Sequence, residues 1–269
     1  MTRSLIAALS VAIAVALSPS INAQWPLHPA SIPIGRDGKP NLNAPVPRNA
    51  NGRPDLSGVW MISAAPDTRQ LPFQPWAADL QAKRAAEGGL NDPDGLCMPQ
   101  GPLQYHVDPQ PLKIVQTPTQ ILILYESNYG LRTIYLDGRA LPPLGGPQPF
   151  WHGYSVGRWD GDTLVVESNN FHGVDPAAFR GVEPKSFYGV GWLDHRGSPY
   201  TEAMTLTERF QRVDYGHLNI DMTVNDPKAY TRPFTLRIAQ RIVADGSEPI
   251  EFICHENQMF LKLTGRAPR

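Results

Sequence analysis

The fold class is decided by residues 157–168, which read GRWDGDTLVVES. Two runs rich in β-branched and aromatic residues flank Asp160-Gly161-Asp162, a pattern typical of a tight turn between two strands. A second turn of this kind, Asp214-Tyr215-Gly216, lies between the run that ends at Val213 and the run that begins at His217. Connections this short join antiparallel neighbours, because parallel strands need a long crossover. The sequence therefore predicts an antiparallel β meander.

The rest of the chain repeats this pattern of apolar runs between turn residues. After a first strand within 55–62, strands are predicted over residues 113–117, 120–127, 131–137, 153–159, 163–168, 203–213, 217–224, 234–243 and 250–254. One helix is indicated by Pro75 and the Ala-, Leu- and Lys-rich residues 76–87, and Gly88-Gly89 ends it. Residues 55–269 are therefore predicted to be one all-β domain: an antiparallel, lipocalin-like barrel or a barrel-like sandwich.

The N-terminal part shows an export pattern followed by a proline-rich arm. Arg3 precedes an apolar run over residues 5–17, and Ala23 is a small residue at a plausible cleavage point. The apolar run is too short to span a bilayer, so residues 1–23 are predicted to be a signal peptide, with an uncleaved anchor as the alternative. Prolines are dense in residues 24–54, which predicts an irregular arm.

Charge and motifs narrow the classes of partner. The chain has 24 basic and 25 acidic residues and no basic run interleaved with aromatics, so no nucleic-acid partner is expected. It contains no GxGxxG or P-loop motif and no metal-ligand spacing such as HExxH. The sequence therefore predicts neither a cofactor nor a metal site.

The two cysteines, Cys97 and Cys254, are predicted to form a disulfide, because an exported protein meets an oxidising compartment. For a crosslink across such a long loop, the chain-entropy model gives about 4–5 kcal/mol as the upper figure for the stabilisation. Metal binding by two distant cysteines has less support, since no CxxC pair is present. We therefore expect a periplasmic or secreted protein with no membrane span after signal cleavage.

Strand alternation indicates which polar side chains face the interior. Glu208 lies between Leu206 and Phe210 on the apolar face of its predicted strand. A buried carboxylate must be paired, hydrogen-bonded or neutralised. Two interpretations remain open. Either Glu208 acts with Arg132 as an acid or base that faces a ligand, or Glu208 and an arginine form an ion pair that only holds the barrel together.

Arg132 has a second candidate partner in Glu126. The two residues lie on either side of the predicted turn Asn128-Tyr129-Gly130. Opposite charges attract across a hairpin, so we expect Glu126 and Arg132 to meet at the mouth of the barrel. The contact is interpreted either as a plain ion pair or as part of a ligand site.

Two histidines are candidate general bases, because imidazole titrates near neutral pH. His152 follows Phe150-Trp151 at the start of a predicted strand, and His195 lies in the long irregular segment 170–202. A solvated side chain is the alternative for each. Aromatic residues are frequent around this segment, which predicts a cavity for a hydrophobic ligand.

Two parts of the chain resemble known families. Residues 55–60, DLSGVW, resemble the Gly-x-Trp opening of lipocalins and related calycin barrels. Residues 134–139, 157–168, 208–210 and 226–231 (IYLDGR, GRWDGDTLVVES, ERF and DPKAYT) resemble a family of secreted β proteins from environmental bacteria. The second resemblance implies a shared fold and supplies no catalytic residue.

The leading hypothesis is a barrel that accepts a small, largely hydrophobic molecule, aromatic or terpenoid-like, and converts it by acid–base chemistry of lyase, isomerase or hydrolase type. The predicted catalytic residues are Glu208, Arg132, His152 and His195, and the predicted ligand contacts are Glu126, Trp151, Tyr154, Trp192 and Phe210. The alternatives are a non-catalytic carrier with the same cavity and an envelope protein whose proline-rich arm docks a partner.

Overall fold

The computed structural model describes residues 32–146 and 148–254, with only the backbone at Tyr129. The predicted signal peptide lies outside these residues. Nine strands of the described chain close into a barrel. The strands are β1 (Gly58–Ala64), β2 (Leu112–Gln116), β3 (Gln120–Tyr125), β4 (Leu131–Tyr135), β5 (Tyr154–Asp160), β6 (Thr163–Asn169), β7 (Thr205–Arg212), β8 (His217–Asn225) and β9 (Phe234–Ile242).

Each strand of the barrel pairs with its neighbours in chain order, and β9 closes the barrel on β1 with Trp60 opposite Ile242. The predicted all-β barrel is therefore confirmed. One seam differs from the predicted antiparallel pattern, since β4 and β5 run parallel with Ile134 opposite Ser155. Residues 136–153 make this possible, because they form a connection long enough to return the chain to the same end.

The predicted helix is confirmed as α1 (Pro75–Ala86), which ends before two glycines with positive φ. A second helix, α2 (Gln104–Val107), is too short to be recognised by its periodicity. The strand predicted at 250–254 is wrong: β9 already pairs with β1, so the sheet has no free edge for another strand. Residues 170–204 form a long connection with two short 3₁₀ turns.

Alternate side chains of the strands fill the interior of the barrel. On β7, Leu206, Glu208 and Phe210 are at most 2% exposed, as the alternation predicts. Neighbouring strands add further inward side chains that are buried to a similar degree: Trp60, Ile114, Ile121, Ile123, Ile134, Leu164, Val166, Leu218, Ile220, Met222 and Ile238. The middle of the barrel is therefore a packed core, and open space is found at its periphery.

One end of the barrel, here the arm end, is closed by the start of β1 and the proline-rich arm. Trp60 donates from Nε1 to the carbonyl of Leu56 at 3.0 Å, and the guanidinium of Arg212 lies 4.9 Å from the centroid of the Trp60 ring. Arg212 also donates to the carbonyls of Asp55 and Tyr215. The arginine charge is thus solvated by carbonyl dipoles and an aromatic face.

The described part of the arm, residues 32–54, lies over the β5–β6 turn at this end. Arg48 pairs with Asp162 at 2.6 Å, and Arg53 donates to the carbonyl of Gly161 at 2.9 Å. Both sides of the Arg48–Asp162 pair are largely exposed. The arm therefore wraps the barrel through contacts that water can also reach.

The opposite end, here the loop end, is covered by α1, α2 and residues 170–204. Arg84 of α1 and Glu183 form an ion pair at 3.0 Å, with both side chains almost completely buried. Arg84 also donates to the carbonyl of Gly191 at 3.1 Å, and Asn91 donates to the second oxygen of Glu183 at 3.0 Å. These bonds organise a connection that has no strand of its own.

The predicted disulfide is confirmed: Cys97 and Cys254 are bonded, with their Cα atoms 5.6 Å apart. The bond joins the end of the described chain to the turn that follows α1. A disulfide favours an oxidising compartment. Within residues 32–146 and 148–254, no helix is long and apolar enough to cross a membrane.

Candidate functional site

The predicted pair of Glu208 and Arg132 lies inside the barrel. Arg132 on β4 donates from Nη1 to Oε1 of Glu208 on β7 at 3.0 Å, and a second bond joins Nη2 to Oε2. Arg132 also donates to the hydroxyls of Ser155 at 3.1 Å and Ser168 at 2.9 Å. Glu208 is fully buried and Arg132 is 4% exposed. The guanidinium therefore finds acceptors on three other strands of the barrel.

The electrostatics of this pair favour a structural role. Burial disfavours the carboxylate, but the charge and hydrogen bonds of Arg132, with a contribution from His106, lower the pKa of Glu208 to about 2. The carboxylate is thus ionised at neutral pH, and each of its oxygens accepts a bond from Arg132. The Glu208 carboxylate is therefore a weak base and carries no proton to donate. These properties fit an ion pair that holds the barrel together.

His106 of α2 is a buried polar group beside this pair that the sequence did not indicate. Its Nε2 lies 3.6 Å from Oε1 of Glu208, beyond hydrogen-bond distance. Among the described residues, neither nitrogen of His106 nor Oε1 of Gln240 has a hydrogen-bond partner. An unpaired buried polar atom costs about 1–3 kcal/mol. We therefore expect ordered water between these groups.

His152 lies at the loop end beside two tyrosine rings. The centroid of its ring is 5.0 Å from that of Tyr105 and 6.2 Å from that of Tyr125. Partial burial and the nearby charge of Arg132 lower the pKa of His152 to about 4. The imidazole is therefore neutral at physiological pH, and its low basicity argues against the predicted role as a general base.

The expected contact between Glu126 and Arg132 is wrong. Strands β3 and β4 pair with Ile123 opposite Arg132, and both side chains are buried in the interior. Glu126 lies just beyond β3 and accepts a hydrogen bond from the backbone of Ile250 at 2.9 Å. Because side chains alternate between faces, Glu126 belongs to the outside of the barrel and holds the C-terminal part of the described chain.

A cleft of about 630 Å³ lies at the loop end, between α1, the disulfide and the turn at His195. We call it the Asp94 cleft. Asp92, Asp94 and His195 provide its polar walls, and Phe252 and Cys254 provide part of its apolar wall. A concave site that combines apolar walls with a few convergent polar groups is typical of small-molecule binding.

His195 is held at this cleft by two carboxylates. The side chain of Asp194 accepts hydrogen bonds from the backbone of Ser198 at 3.0 Å and fixes the turn that presents His195. Nε2 of His195 lies 2.6 Å from Asp108, and Nδ1 lies 3.3 Å from Asp92. Although partial burial disfavours the charged ring, these hydrogen bonds raise the pKa of His195 to about 10. The ring is protonated at neutral pH, which argues against the predicted general base.

Asp94 is the group in the cleft best suited to proton transfer. One of its oxygens accepts hydrogen bonds from the side-chain amides of Gln100 at 2.9 Å and Asn128 at 3.0 Å. The surrounding protein and the negative charges of Asp108 and Asp92 raise the pKa of Asp94. Asp94 is an exposed residue, so a ligand can reach its carboxyl group. A raised pKa in an open cleft marks a candidate acid or base.

Sequence reasoning missed the three aspartates of this site. Residues 91–95, which read NDPDG, are typical of a turn and indicate nothing further on their own. The available signal was two acidic side chains close to Cys97, which the predicted disulfide fixes in space. Asp108 had no comparable signal, because its contact with His195 joins parts of the chain 87 residues apart.

Tyr154 faces the outside of the barrel at a second cleft of about 500 Å³, which we call the aromatic cleft. Phe150, Tyr154 and Pro142 contribute to its walls. The hydroxyl of Tyr154 accepts a hydrogen bond from Arg139 at 3.0 Å. Phe150 is 47% exposed, with its ring centroid 5.8 Å from that of Tyr154. The predicted ligand contact at Tyr154 is therefore geometrically accessible.

The other predicted aromatic contacts are not among the residues that line either cleft. Trp192 and Phe210 are each 1% exposed, and the guanidinium of Arg84 lies 4.5 Å from the centroid of the Trp192 ring. Trp151 packs edge-on against the ring of His172 at 4.6 Å. Trp192 and Phe210 are core residues, because the long loop and β7 bury them against neighbouring elements.

No family model matches the chain, and no curated protein matches it either. Residues 157–168 form the β5–β6 hairpin, and residues 226–231 form the turn between β8 and β9. The resemblance of these motifs to secreted bacterial β proteins, and of DLSGVW to lipocalins, therefore stays a prediction.

Proposed function

We propose that the protein is exported, binds a small organic molecule with a hydrophobic part in the Asp94 cleft, and converts it by acid–base chemistry. Asp94 is the group that takes up or delivers the proton. The observation that carries this proposal is an exposed carboxyl group with a raised pKa in a cleft of about 630 Å³. The Cys97–Cys254 bond supports an oxidising compartment.

The surroundings of Asp94 support this role. Amide donors from Gln100 and Asn128 fix one oxygen of the carboxyl group. No donor from the described residues is bound to the second oxygen, which is left to meet a substrate. His195 is locked between Asp92 and Asp108 and keeps its own proton at neutral pH, so it does not compete with Asp94 as the acid or base.

The acid–base function is tested with 5-nitrobenzisoxazole, which opens to a coloured cyanophenolate when a base removes its ring proton. The protein should accelerate this reaction, with a rate that rises with pH as Asp94 ionises. Asp94→Asn should lower the rate about a hundredfold, the low end for a positioned general base. Asp160→Asn is the matched control, because Asp160 is an exposed aspartate at the arm end.

Two outcomes overturn this proposal. One is turnover of 5-nitrobenzisoxazole by the protein no faster than by Asp94→Asn. The other is an equal loss in the Asp160→Asn control. Circular dichroism melting of each variant separates a loss of the base from a loss of the fold.

A second candidate function is non-catalytic transport of an aromatic molecule in the aromatic cleft. The exposed ring of Phe150 beside Tyr154 favours it, since protein aromatics stack on planar ligands. With 2-naphthol as a fluorescent probe, Phe150→Ala should weaken binding about fivefold. Leu131→Ala, also an exposed apolar residue, should leave the affinity unchanged. Equal affinities for the protein and Phe150→Ala would exclude this cleft.

A further inference from the structure

The side-chain donors around the Asp94 cleft are already engaged by protein acceptors. His195 is bound by Asp92 and Asp108, at 3.3 Å and 2.6 Å. Gln104 donates to Asp92 at 3.0 Å, and Gln100 donates to Asp94 at 2.9 Å. Among the described residues that line this cleft, three are cations: Arg84, which is buried and paired with Glu183, His195, and the exposed Arg196 at the rim. What the inner walls offer a ligand is therefore mainly carboxylate oxygens.

The buried side of the same cluster also has a surplus of acceptors. Asp108 is 6% exposed, and its Oδ2 has no hydrogen-bond partner within the described chain. Oε1 of Gln100 and Oδ1 of Asn128 also have no hydrogen-bond partner within the described chain, and Gln100 is 1% exposed. These two residues donate to Asp94, so the surplus lies directly behind the cleft wall. A site with more acceptors than donors is complementary to a ligand rich in donors.

The charged side chains around the cleft favour one class of donor-rich ligand over the others. Asp92, Asp94 and Asp108 face the ring of His195 and, at the rim, the solvent-exposed Arg196. Asp92 is 15% exposed in its side chain and Asp108 is 6% exposed, so water screens their charges less than that of Arg196. Glu183 neutralises Arg84, and the single charge of His195 faces the three aspartates, so carboxylates outnumber unpaired cations on the inner side of the cleft. A positive ligand group therefore gains more there than a neutral hydroxyl group.

We propose that the ligand of the Asp94 cleft carries an organic ammonium group that donates hydrogen bonds to Asp94 and Asp92, with its apolar part against Phe252. This inference rests on the function proposed above and names the chemical class of its substrate. The ammonium group adds a donor for the carboxyl group of Asp94, one oxygen of which already accepts bonds from Gln100 and Asn128. It also offsets the repulsion among the three carboxylates.

Binding of an ammonium group and ionisation of Asp94 are thermodynamically linked. The charged groups that face Asp94 are Asp92, Asp108 and His195; burial and the two carboxylates raise its pKa, and His195 opposes them. A bound cation adds an opposite charge, so it must lower the pKa of Asp94. By reciprocity, affinity for the cation rises with pH as Asp94 ionises. A neutral ligand of the same shape has no such dependence.

The test compares benzylamine with benzyl alcohol, which has nearly the same shape without the charge. Isothermal titration calorimetry on the disulfide-bonded protein at low salt should show benzylamine binding about tenfold more tightly, the effect of one charge-assisted hydrogen bond. Asp94→Asn should remove this preference, and Asp92→Asn should reduce it in part. Asp160→Asn should leave it unchanged.

Equal affinities for the two probes overturn the inference, as does a benzylamine affinity that Asp94→Asn leaves unaltered. The pH dependence in the unsubstituted protein provides a measurement that needs no variant: a flat profile for benzylamine also overturns it. The two proposals fail separately. If base-catalysed turnover depends on Asp94 but benzylamine has no preference, only the ligand class is wrong. If benzylamine binds through Asp94 but turnover is absent, the cleft is a binding site without the proposed chemistry.

Discussion

The two ends of the barrel use buried charge in different ways. At the arm end, Arg212 lies over Trp60 and donates to backbone carbonyls, and the ion pairs of the arm are exposed. At the loop end, the described chain contains buried oxygens without partners on Gln100, Asp108 and Asn128. A closed end needs only to satisfy its polar groups. An end with unsatisfied acceptors and raised pKa values is prepared for water or a ligand.

Two buried ion pairs, one at the loop end and one inside the barrel, show the same contrast on a smaller scale. Arg84 and Glu183 each have further partners from the surrounding loop. Arg132 and Glu208 are satisfied by each other and by two serines, but neither ring nitrogen of His106 beside them has a hydrogen-bond partner among the described residues. The first pair is a completed support for the loop. The Arg132–Glu208 pair lies beside polar groups that a water molecule could bridge.

The largest expected effect comes from breaking the ion pair inside the barrel. Glu208→Leu leaves Arg132 buried without its partner and should lower the free energy of unfolding by about 3–5 kcal/mol. Urea unfolding measures this loss. The double variant Arg132→Met/Glu208→Leu should recover most of the stability, because no lone charge then remains. A double variant as unstable as Glu208→Leu would contradict a purely electrostatic cause.

Removing the disulfide should have the next largest effect. The double variant Cys97→Ser/Cys254→Ser should lose about 2–4 kcal/mol of stability, since the crosslink restricts the unfolded chain. It should also weaken benzylamine binding, because Cys254 belongs to the wall of the Asp94 cleft. Affinity for 2-naphthol at the aromatic cleft is the control and should not change. A variant with full benzylamine affinity would show that the wall does not need the crosslink.

At the arm end, Arg212→Met should cost about 2 kcal/mol, through the lost cation–π contact and the carbonyls left without a donor. Benzylamine binding and turnover of 5-nitrobenzisoxazole should be unchanged, because Arg212 lies at the end opposite the cleft. Thermal unfolding and the two cleft assays measure these quantities. A selective loss of turnover with full stability would contradict the division of roles between the two ends.

The stability of the loop end should depend on pH through His195. The folded-state pKa of His195 is raised to about 10, above the value near 6.5 expected for an unfolded chain. Its stabilising contribution is therefore complete below pH 6.5 and is lost as pH rises towards 10. Urea midpoints should fall over this range, and less steeply in His195→Gln. Identical slopes would show that the two aspartates do not hold the imidazolium.

The smallest effect is expected for the exposed pair of the arm. Arg48→Ala removes the contact with Asp162, but water screens both groups, so the free energy of unfolding should change very little. Chemical denaturation in low and high salt measures this change. A loss as large as that of Arg212→Met would mean that the arm contributes more through this contact than its exposure indicates.

Local patterns were sufficient to predict most of the strands and the helix α1. The turns at 160–162 and 214–216 depend only on neighbouring residues, and alternation correctly identified Glu208 as inward-facing. The candidate site was less predictable. His195 was identified as a residue of interest, but its role depends on Asp108, 87 residues away in the chain. The parallel seam of β4 and β5 was also missed, since it depends on a long connection.

By itself, the sequence determined the all-β class, the hairpins and the cysteine pair, because these follow from alternation, turn chemistry and the count of residues. Only the tertiary structure decided that Glu208 and Arg132 are satisfied by each other and by two serines, and that Asp92, Asp94, Asp108 and His195 converge at one end. The physical reason is distance along the chain. A strand is specified by its own neighbours, whereas a cluster of charges is specified by how distant loops dock on a closed barrel.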